Sequence, residues 1–157
     1  MRITRYEVQL ADVTREILAE LAPAFARKQL QVQAELPDEL PVAHVDLERM
    51  KVLLRNVFAL SLKQSPPGST VEVRLGPDEN PQKLRFTIGY VARITPDKLD
   101  KIFDRLYQAE NYISIMGEDE VGLGLAFAKH ILEAHGGDIR AELAEGNRLV
   151  FTATVMK

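Results

Sequence analysis

The segment ADVTREILAELAPAFARKQL carries an apolar residue at every fourth position along one face: Val13, Ile17, Leu21 and Phe25. This recurrence predicts an amphipathic helix that packs the apolar face against a core. Asp12, at the head of the segment, is expected to cap the helix. Pro23 is expected to bend the helix or to mark its last turn, because proline removes a backbone donor.

Three further segments have helical character. LERMKVLLRNVFALSLKQS follows Asp46, a capping residue type, and ends at a PPG turn. GLGLAFAKHILEAH begins with a glycine pair and stops at Gly136-Gly137. TPDKLDKIFDRLYQ resembles a capped helix with Pro96 in its first turn. The intervening ENYISIMGEDEVG has no clear period and two glycines, and we expect it to form a mobile loop.

The remaining segments alternate in polarity or are rich in β-branched residues, which predicts strands. They are RITRYEVQL, LQVQAEL, PVAHV, STVEVRLG, KLRFTIGYV, DIRAELAEG and RLVFTATVM. The last two are expected to form an antiparallel hairpin turned at Glu145-Gly146-Asn147. Helices and strands do not alternate strictly, so the pattern predicts an α+β fold. We expect one domain over residues 1–157, a two-layer sandwich with about three helices on one face of a mixed sheet of about five strands.

Composition narrows the possible functions. The chain has 157 residues, 46% of them hydrophobic and 27% charged, with a formal net charge of −3. A nucleic-acid groove or a polybasic membrane patch requires clustered Lys and Arg, which this balance does not favour. There is no Cys, so disulfides and thiolate metal sites are excluded. No apolar run reaches the roughly 20 residues of a membrane span, and the charged start lacks the apolar stretch that is typical of a signal peptide. We therefore expect a cytoplasmic protein without direct membrane insertion.

Two stretches resemble the ATP-binding domain of sensor histidine kinases. DLERMKVLLRNVFALSLKQS aligns without gaps on the long helix of that domain. IFDRLYQ, a loop, and GLGLAFAKHILEAHGGDI resemble its Phe box, its lid and its glycine-rich helix start. Phe103 and Leu106 would then be core contacts that anchor the lid. The resemblance covers nearly the whole chain and implies the Bergerat-type ATPase fold of the GHKL group, to which DNA gyrase and MutL also belong.

The resemblance also shows where nucleotide contacts are missing. The family places a magnesium-binding Asn three residues before the motif Lys, which here puts Leu60 before Lys63. A leucine has no oxygen to offer a hard cation. Asn56 lies one turn earlier, about 6 Å along the helix, and is expected to be a packing or capping group.

A second family motif, Asp-x-Gly-x-Gly, matches GYVARIT. Counting without gaps puts Gly89 at the Asp position, where the family accepts a hydrogen bond from the adenine amino group. Val91 and Arg93 then occupy the glycine positions, and their side chains would intrude on the cleft. A Thr that helps to hold an adenine-side water in the family is matched by Leu149.

The phosphate end of the family site is better preserved. Gly122, Leu123 and Gly124 stand at the predicted start of a helix, where backbone N–H groups favour an anion. The acidic run Glu118 to Glu120 precedes them and would repel a triphosphate. The alternative role of the two glycines is to permit a tight entry into the helix. The remnant nucleotide site is therefore assigned, at most, to Asn56, Lys63, Gly122, Leu123 and Gly124.

Other residues are interpreted as structural. His44, His130 and His135 are too dispersed for a metal site, and no metal is expected. Five large side chains lie beside or within the predicted lid, and they would pack on their own domain or contact a partner. They are Tyr107, Tyr112, Ile113, Ile115 and Met116.

The sequence thus favours a degenerate ATP-binding domain that acts as a regulatory or protein-interaction module and needs no cofactor. Its expected partner is a dimerisation hairpin or a receiver domain of a signalling pathway, not a nucleic acid. The alternative is an active catalytic domain that binds Mg-ATP and phosphorylates a His on a separate segment. A third possibility is a cleft that has been remodelled for another small ligand.

Overall fold

The computed structural model describes residues 2–92, 94–99, 102–103 and 119–157, and of residues 119–124 the backbone alone. The strands are β1 Tyr6–Val8, β2 Gln31–Glu35, β3 Ala43–Val45, β4 Thr70–Pro77, β5 Lys83–Val91, β6 Asp138–Ala144 and β7 Arg148–Met156. The helices are α1 Leu10–Arg27, α2 Leu47–Gln64, α3 Pro96–Leu99 and α4 Asp119–Ala134.

The main sheet has five strands in the order β2-β4-β5-β7-β6. β2 pairs in parallel with β4, and the other neighbours are antiparallel. The two short strands β1 and β3 pair with each other in a separate antiparallel sheet. The α+β fold with a five-strand mixed sheet and helices on one face is thereby confirmed, as is the β6–β7 hairpin.

Side chains alternate between the two faces of the main sheet, and this alternation determines where the site residues point. In β5 the inward-facing, fully or largely buried residues are Leu84, Phe86, Ile88 and Tyr90. In β7 the inward-facing residues are Leu149, Phe151, Ala153 and Val155. The regular register of the pair places Tyr90 opposite Leu149 and Gly89 opposite Val150.

Helix α1 begins three residues earlier than a cap at Asp12 predicts. Its N-cap residue is Gln9, which makes no side-chain capping bond. Asp12 lies in the first turn and pairs with Arg15 at 2.9 Å, so the prediction that Asp12 caps the helix is wrong. The helix begins at Leu10 because the Leu10 side chain is buried in the core, and this burial stabilises an earlier first turn. Pro23 lies in the helix, about one turn before its end.

Helix α2 is held at both ends by side chains. Asp46 caps its start by accepting a hydrogen bond from the Arg49 backbone N–H at 3.1 Å, as predicted. At its end the Lys28 ammonium donates to the carbonyls of Leu62 and Lys63, at 2.7 and 2.9 Å. Burial lowers the pKa of Lys28. One uninterrupted helix therefore carries both the predicted metal position and the motif Lys.

Helix α4 begins at Asp119, three residues before Gly122. The prediction that the glycine pair starts this helix is therefore wrong. Acidic residues in a first turn are stabilised by the helix dipole, which favours a start at Asp119-Glu120. The helix ends as predicted: Gly136 has a φ of +73°, and the Gly137 N–H donates to the carbonyl of Leu132.

The predicted helix TPDKLDKIFDRLYQ is described only in part. It is helical over Pro96–Leu99, and Ile102 is buried. Phe103 packs edge-on against Phe151, with ring centroids 6.0 Å apart, so its core role is confirmed. Leu106 and the five large side chains assigned to the lid lie outside the described residues.

Candidate functional site

The position matched to the metal-binding Asn lies in the core of the molecule. Leu60 is fully buried, with 0% of its surface exposed, and belongs to the hydrophobic cluster between α2 and the sheet. Asn56, one turn earlier, is half-buried, and so is Lys63 in the last turn. At the Leu60 position the chain thus presents only hydrocarbon.

On β5 the side chain that faces the helices belongs to Tyr90, the residue after Gly89. Gly89 lies on the outer face of the sheet: a Cβ built on it would point at the Arg148 Nη2, 3.4 Å away, and at the Val150 side chain. Tyr90 lies on the inner face and is fully buried. Its ring is 6.2 Å from that of Phe151, and its hydroxyl donates to the Gln64 side-chain oxygen.

This geometry corrects the alignment at β5 by one residue. The Asp and the Thr of the family serve the same adenine side, and Leu149, which matches the Thr, faces inward beside Tyr90. A side chain at position 89 would lie on the opposite face of the sheet from Leu149. If the Asp and the Thr share one face, the resemblance assigns the Asp position to Tyr90, one residue later than the match at Gly89. Ala92 then takes the place of the first glycine.

Gly89 borders a charged side chain on the outer face of the sheet. The Arg148 guanidinium lies beside this glycine and approaches Glu72 of β4 at 3.6 Å. A Cβ at position 89 would lie 3.4 Å from the Arg148 Nη2, at the lower edge of ordinary van der Waals contact. A side chain at position 89 would therefore face Arg148 and would contribute nothing to the inner cleft.

The glycines of the phosphate end lie inside α4. The backbone of Gly122, Leu123 and Gly124 is helical, and the two residues that head the helix are Asp119 and Glu120. The free N–H groups of a helix belong to its first residues, so the groups nearest to an arriving anion belong to an acidic turn. Arg93 and Glu118 lie outside the described residues.

An open cleft of about 1140 Å³ lies where α1, α2 and β5 end. Arg27, Lys28 and Lys63 line it, together with Gln64 and Asn147. The C-terminal ends of two helices meet here, and their partial negative charge favours cations on its own. Of the five residues assigned to the remnant nucleotide site, Lys63 lines this cleft.

The histidines are separated, as the sequence indicates. His44 is exposed on β3, 3.7 Å from Glu7, and His130 is exposed on α4. His135 is buried, and both of its ring nitrogens are engaged. Within the described part of the chain no cluster of three or more His, Asp or Glu could hold a metal ion. Among the same residues, no helix has the length and apolar character that crossing a bilayer requires.

Sequence reasoning missed Tyr90 and its partner Gln64. The alternation Leu84, Phe86, Ile88 and Tyr90 in KLRFTIGYV was the available signal, because it fixes which residues face inward. The match of Asp-x-Gly-x-Gly to GYVARIT, which begins at Gly89, did not take this alternation into account. The engagement of His135 with Asp46, 89 positions away, had no signal in the sequence.

Nearly three-quarters of the chain matches a family model. Residues 45–157 match the family described as histidine kinase-, DNA gyrase B- and HSP90-like ATPase. The chain belongs to this family.

Among curated proteins, the chain is 29% identical to the adaptive-response sensory kinase SasA of Synechococcus sp. (strain JA-3-3Ab), over all of its own length and 41% of that protein. It is 32% identical to the sensor histidine kinase WalK of Bacillus subtilis (strain 168), over 76% of its length and 20% of that protein. The chain therefore spans less than half of the length of these relatives.

Solved structures confirm the fold. The catalytic domain of the histidine kinase ThkA superposes with a TM-score of 0.85 at 22% identity, covering 99% of this chain and 97% of that one. The mycobacterial sensor histidine kinase MprB gives 0.77 at 22% identity, covering 98% and 97%. Within the family, the sensor histidine kinases are thus the proteins that this chain is similar to in sequence and in fold.

Proposed function

We propose that this histidine-kinase-type domain does not hold Mg-ATP in the manner of its family and acts through contact with a protein partner. The observation that carries the proposal is the chemistry of three inward-facing positions: Leu60, Tyr90 and Leu149, each with 0% of its surface exposed. They correspond to the metal-binding Asn, the adenine-binding Asp and the water-binding Thr. Together they offer one oxygen, and that oxygen is hydrogen-bonded to Gln64.

The three replacements would lower the free energy of nucleotide binding. A net hydrogen bond contributes about 0.5–1.5 kcal/mol, so three missing contacts amount to roughly 1.5–4.5 kcal/mol. That corresponds to about a 10- to 2000-fold loss of affinity. The Tyr90 ring adds a steric cost, because it occupies volume where an Asp would leave space. The acidic first turn of α4 adds charge repulsion against a triphosphate.

A domain without nucleotide turnover can act through contact with another protein. The histidine kinase ThkA has been solved in complex with the response regulator protein TrrA, and its chain superposes on this one with a TM-score of 0.78. We extend this to a partner of the same kind for the present chain, either a receiver domain or a dimerisation hairpin. No cofactor is part of this proposal.

The second candidate function is that of an active catalytic domain that binds Mg-ATP and phosphorylates a His on a separate segment. Family membership favours it, and the matched relatives SasA and WalK are kinases by name. Lys63 and the backbone of Gly122 and Gly124 are retained, and they would contact the phosphates. In this case Asn56 is the metal ligand that remains on the same helix.

A thermal-shift experiment separates the two candidates. The unfolding temperature is measured with Mg-ATP, with Mg-ADP and without nucleotide, each at 1 mM. The proposed function predicts no shift with either nucleotide, since a ligand stabilises only in proportion to its binding. A reproducible rise with Mg-ATP that Asn56→Ala abolishes would contradict the proposed function and favour the active domain.

A further inference from the structure

His135 joins two helices through its ring. It is 1% exposed, and its Nδ1 lies 2.7 Å from the Ile131 carbonyl oxygen. A carbonyl only accepts, so Nδ1 carries the proton and donates it. The other ring nitrogen, Nε2, accepts from the Asp46 backbone N–H at 3.0 Å. The last turn of α4 is thereby attached to the residue that caps α2.

Asp46 uses its remaining groups to hold two further segments. One carboxylate oxygen accepts from the Arg49 N–H in the first turn of α2, and its backbone carbonyl accepts from Met50. The other carboxylate oxygen accepts from the Thr4 backbone N–H at 2.9 Å. The Thr4 hydrogen bond is also the largest cause of the lowered pKa of Asp46. Asp46 is therefore the point at which the N-terminal segment meets α2.

The next residue of the N-terminal segment reaches α4 directly. The Arg5 guanidinium donates to the Ala134 carbonyl at 3.2 Å, one residue before His135. That carbonyl is among the last of α4 and has no partner within the helix. The hydrogen bond between the Asp46 N–H and the His135 ring is called the Asp46–His135 link below. Thr4 contacts Asp46 at one end of this link, and Arg5 contacts Ala134, the neighbour of His135, at the other.

We propose that Asp46 and His135 are positioning residues through which the segment Thr4–Arg5 fixes the placement of α4 against α2. A displacement of this segment weakens the link, and the two helices shift relative to each other. The family's nucleotide position, Leu60, lies on α2, and the remnant glycines lie on α4. The N-terminal segment thus sets the relative placement of the two helices that carry these positions. This proposal does not require nucleotide binding, so it stands or fails separately from the proposed function.

Amide hydrogen exchange on the 157-residue chain tests the link. The variant is Arg5→Ala, and the matched control is Arg2→Ala, an exposed arginine on the same segment. We expect Arg5→Ala to raise exchange about 2- to 10-fold at residues 132–137 and also at residues 46–50, which Arg5 does not touch. Residues 70–91, in β4 and β5, should be unchanged, and Arg2→Ala should change neither region.

A second variant tests the relay itself. His135→Phe keeps a planar aromatic ring and removes both hydrogen bonds, so it should raise exchange at 46–50 as well. In that background Arg5→Ala should add nothing at 46–50, because the link is already broken. The proposal is overturned if Arg5→Ala affects only residues 132–137. It is also overturned if its effect at 46–50 is undiminished in the His135→Phe background. If His135→Phe does not fold, the Arg5→Ala and Arg2→Ala comparison still decides.

Discussion

Gly89 and Tyr90 are neighbours in β5, but positions 89 and 90 face opposite sides of the sheet. A strand alternates faces with a period of two, so a one-residue error in alignment exchanges the cleft for the outer surface. Gly89 borders Arg148 and Val150 on the outer face, and Tyr90 meets Gln64 and Phe151 on the inner face. Neither alignment puts a carboxylate at the family's Asp position. The alignment at Gly89 leaves that position without a side chain, and the alignment at Tyr90 puts a buried phenol ring there.

The variant Gly89→Asp tests this assignment by stability alone. On the outer face the new carboxylate would meet the Arg148 guanidinium, whose side chain is 25% exposed, and a surface ion pair contributes about 0–1 kcal/mol. Replacing a strand glycine also removes an entropic cost of roughly 0.5–1 kcal/mol. We expect the free energy of unfolding, measured by urea denaturation, to be unchanged or slightly raised. A loss of more than about 2 kcal/mol would place position 89 in the core and contradict the correction.

Gly137 is required for close packing at the end of α4. A Cβ on it would lie 1.8 Å from the Thr154 carbonyl oxygen, which is backbone and cannot rotate away. We expect Gly137→Ala to lower the free energy of unfolding by roughly 2–4 kcal/mol. The control is Gly76→Ala in β4, where a Cβ meets nothing within 4 Å. Equal denaturation midpoints for the two variants would show that the β7 backbone yields without cost.

At the scale of elements, long helices and strands were predictable, and their ends were not. The apolar period of α2 and the alternation of β5 recur over many residues, so they fixed the two elements within a residue of their observed bounds. The start of α1 depends on Leu10, whose burial is a tertiary fact. The start of α4 depends on an acidic turn that the sequence pattern assigned to the lid. The first residue of a helix depends on one or two side chains, and one or two residues are too few to show a periodic pattern.

The cap of α2 makes a prediction about pH. The Thr4 and Arg49 N–H groups lower the pKa of Asp46, the Thr4 bond most. A lowered folded-state pKa means that the carboxylate stabilises the fold above its unfolded pKa of about 3.9, and that this stabilisation disappears as the pH falls through the folded value. Asn also caps helices but carries no charge. The parent should exceed Asp46→Asn in stability by about 0.3–1 kcal/mol at pH 6.

Denaturation of both proteins between pH 6 and pH 2.5 checks this expectation. The difference should shrink as Asp46 is protonated and should vanish at the acid end. A difference that is constant over this range would show that it arises from geometry and that the charge contributes nothing.

At the scale of the whole molecule, the fold is that of an ATP-binding domain, and its inner positions are those of a hydrophobic core. The fold was predictable from the sequence because it depends on many apolar positions, which tolerate exchange. The site depends on a few side chains, and one of them, Tyr90, was found only through the register of β5 with β7. Its hydrogen bond to Gln64 spans 26 residues. A side-chain pair so far apart in the sequence can be identified only from a structure.

Restoration of the polar positions tests the site as a unit. Leu60→Asn with Tyr90→Asp replaces both on the inner face, and each contact regained should raise nucleotide affinity about 2- to 10-fold. The comparison variant, Leu60→Asn with Gly89→Asp, places its carboxylate on the outer face. We expect the first to bind Mg-ADP measurably more tightly than the second. Circular dichroism confirms folding of each, and a greater gain for the Gly89 pair would contradict the assignment of Tyr90.

A calorimetric titration of the unmodified chain with Mg-ATP tests the proposed loss of nucleotide binding most directly. If Leu60, Tyr90 and Leu149 withhold the contacts that the resemblance expects, no heat of binding will be measured at submillimolar ATP. A dissociation constant below about 100 µM corresponds to roughly 5.5 kcal/mol of binding free energy. The retained phosphate end cannot supply that alone, and such a result would show that the domain holds ATP by contacts other than these.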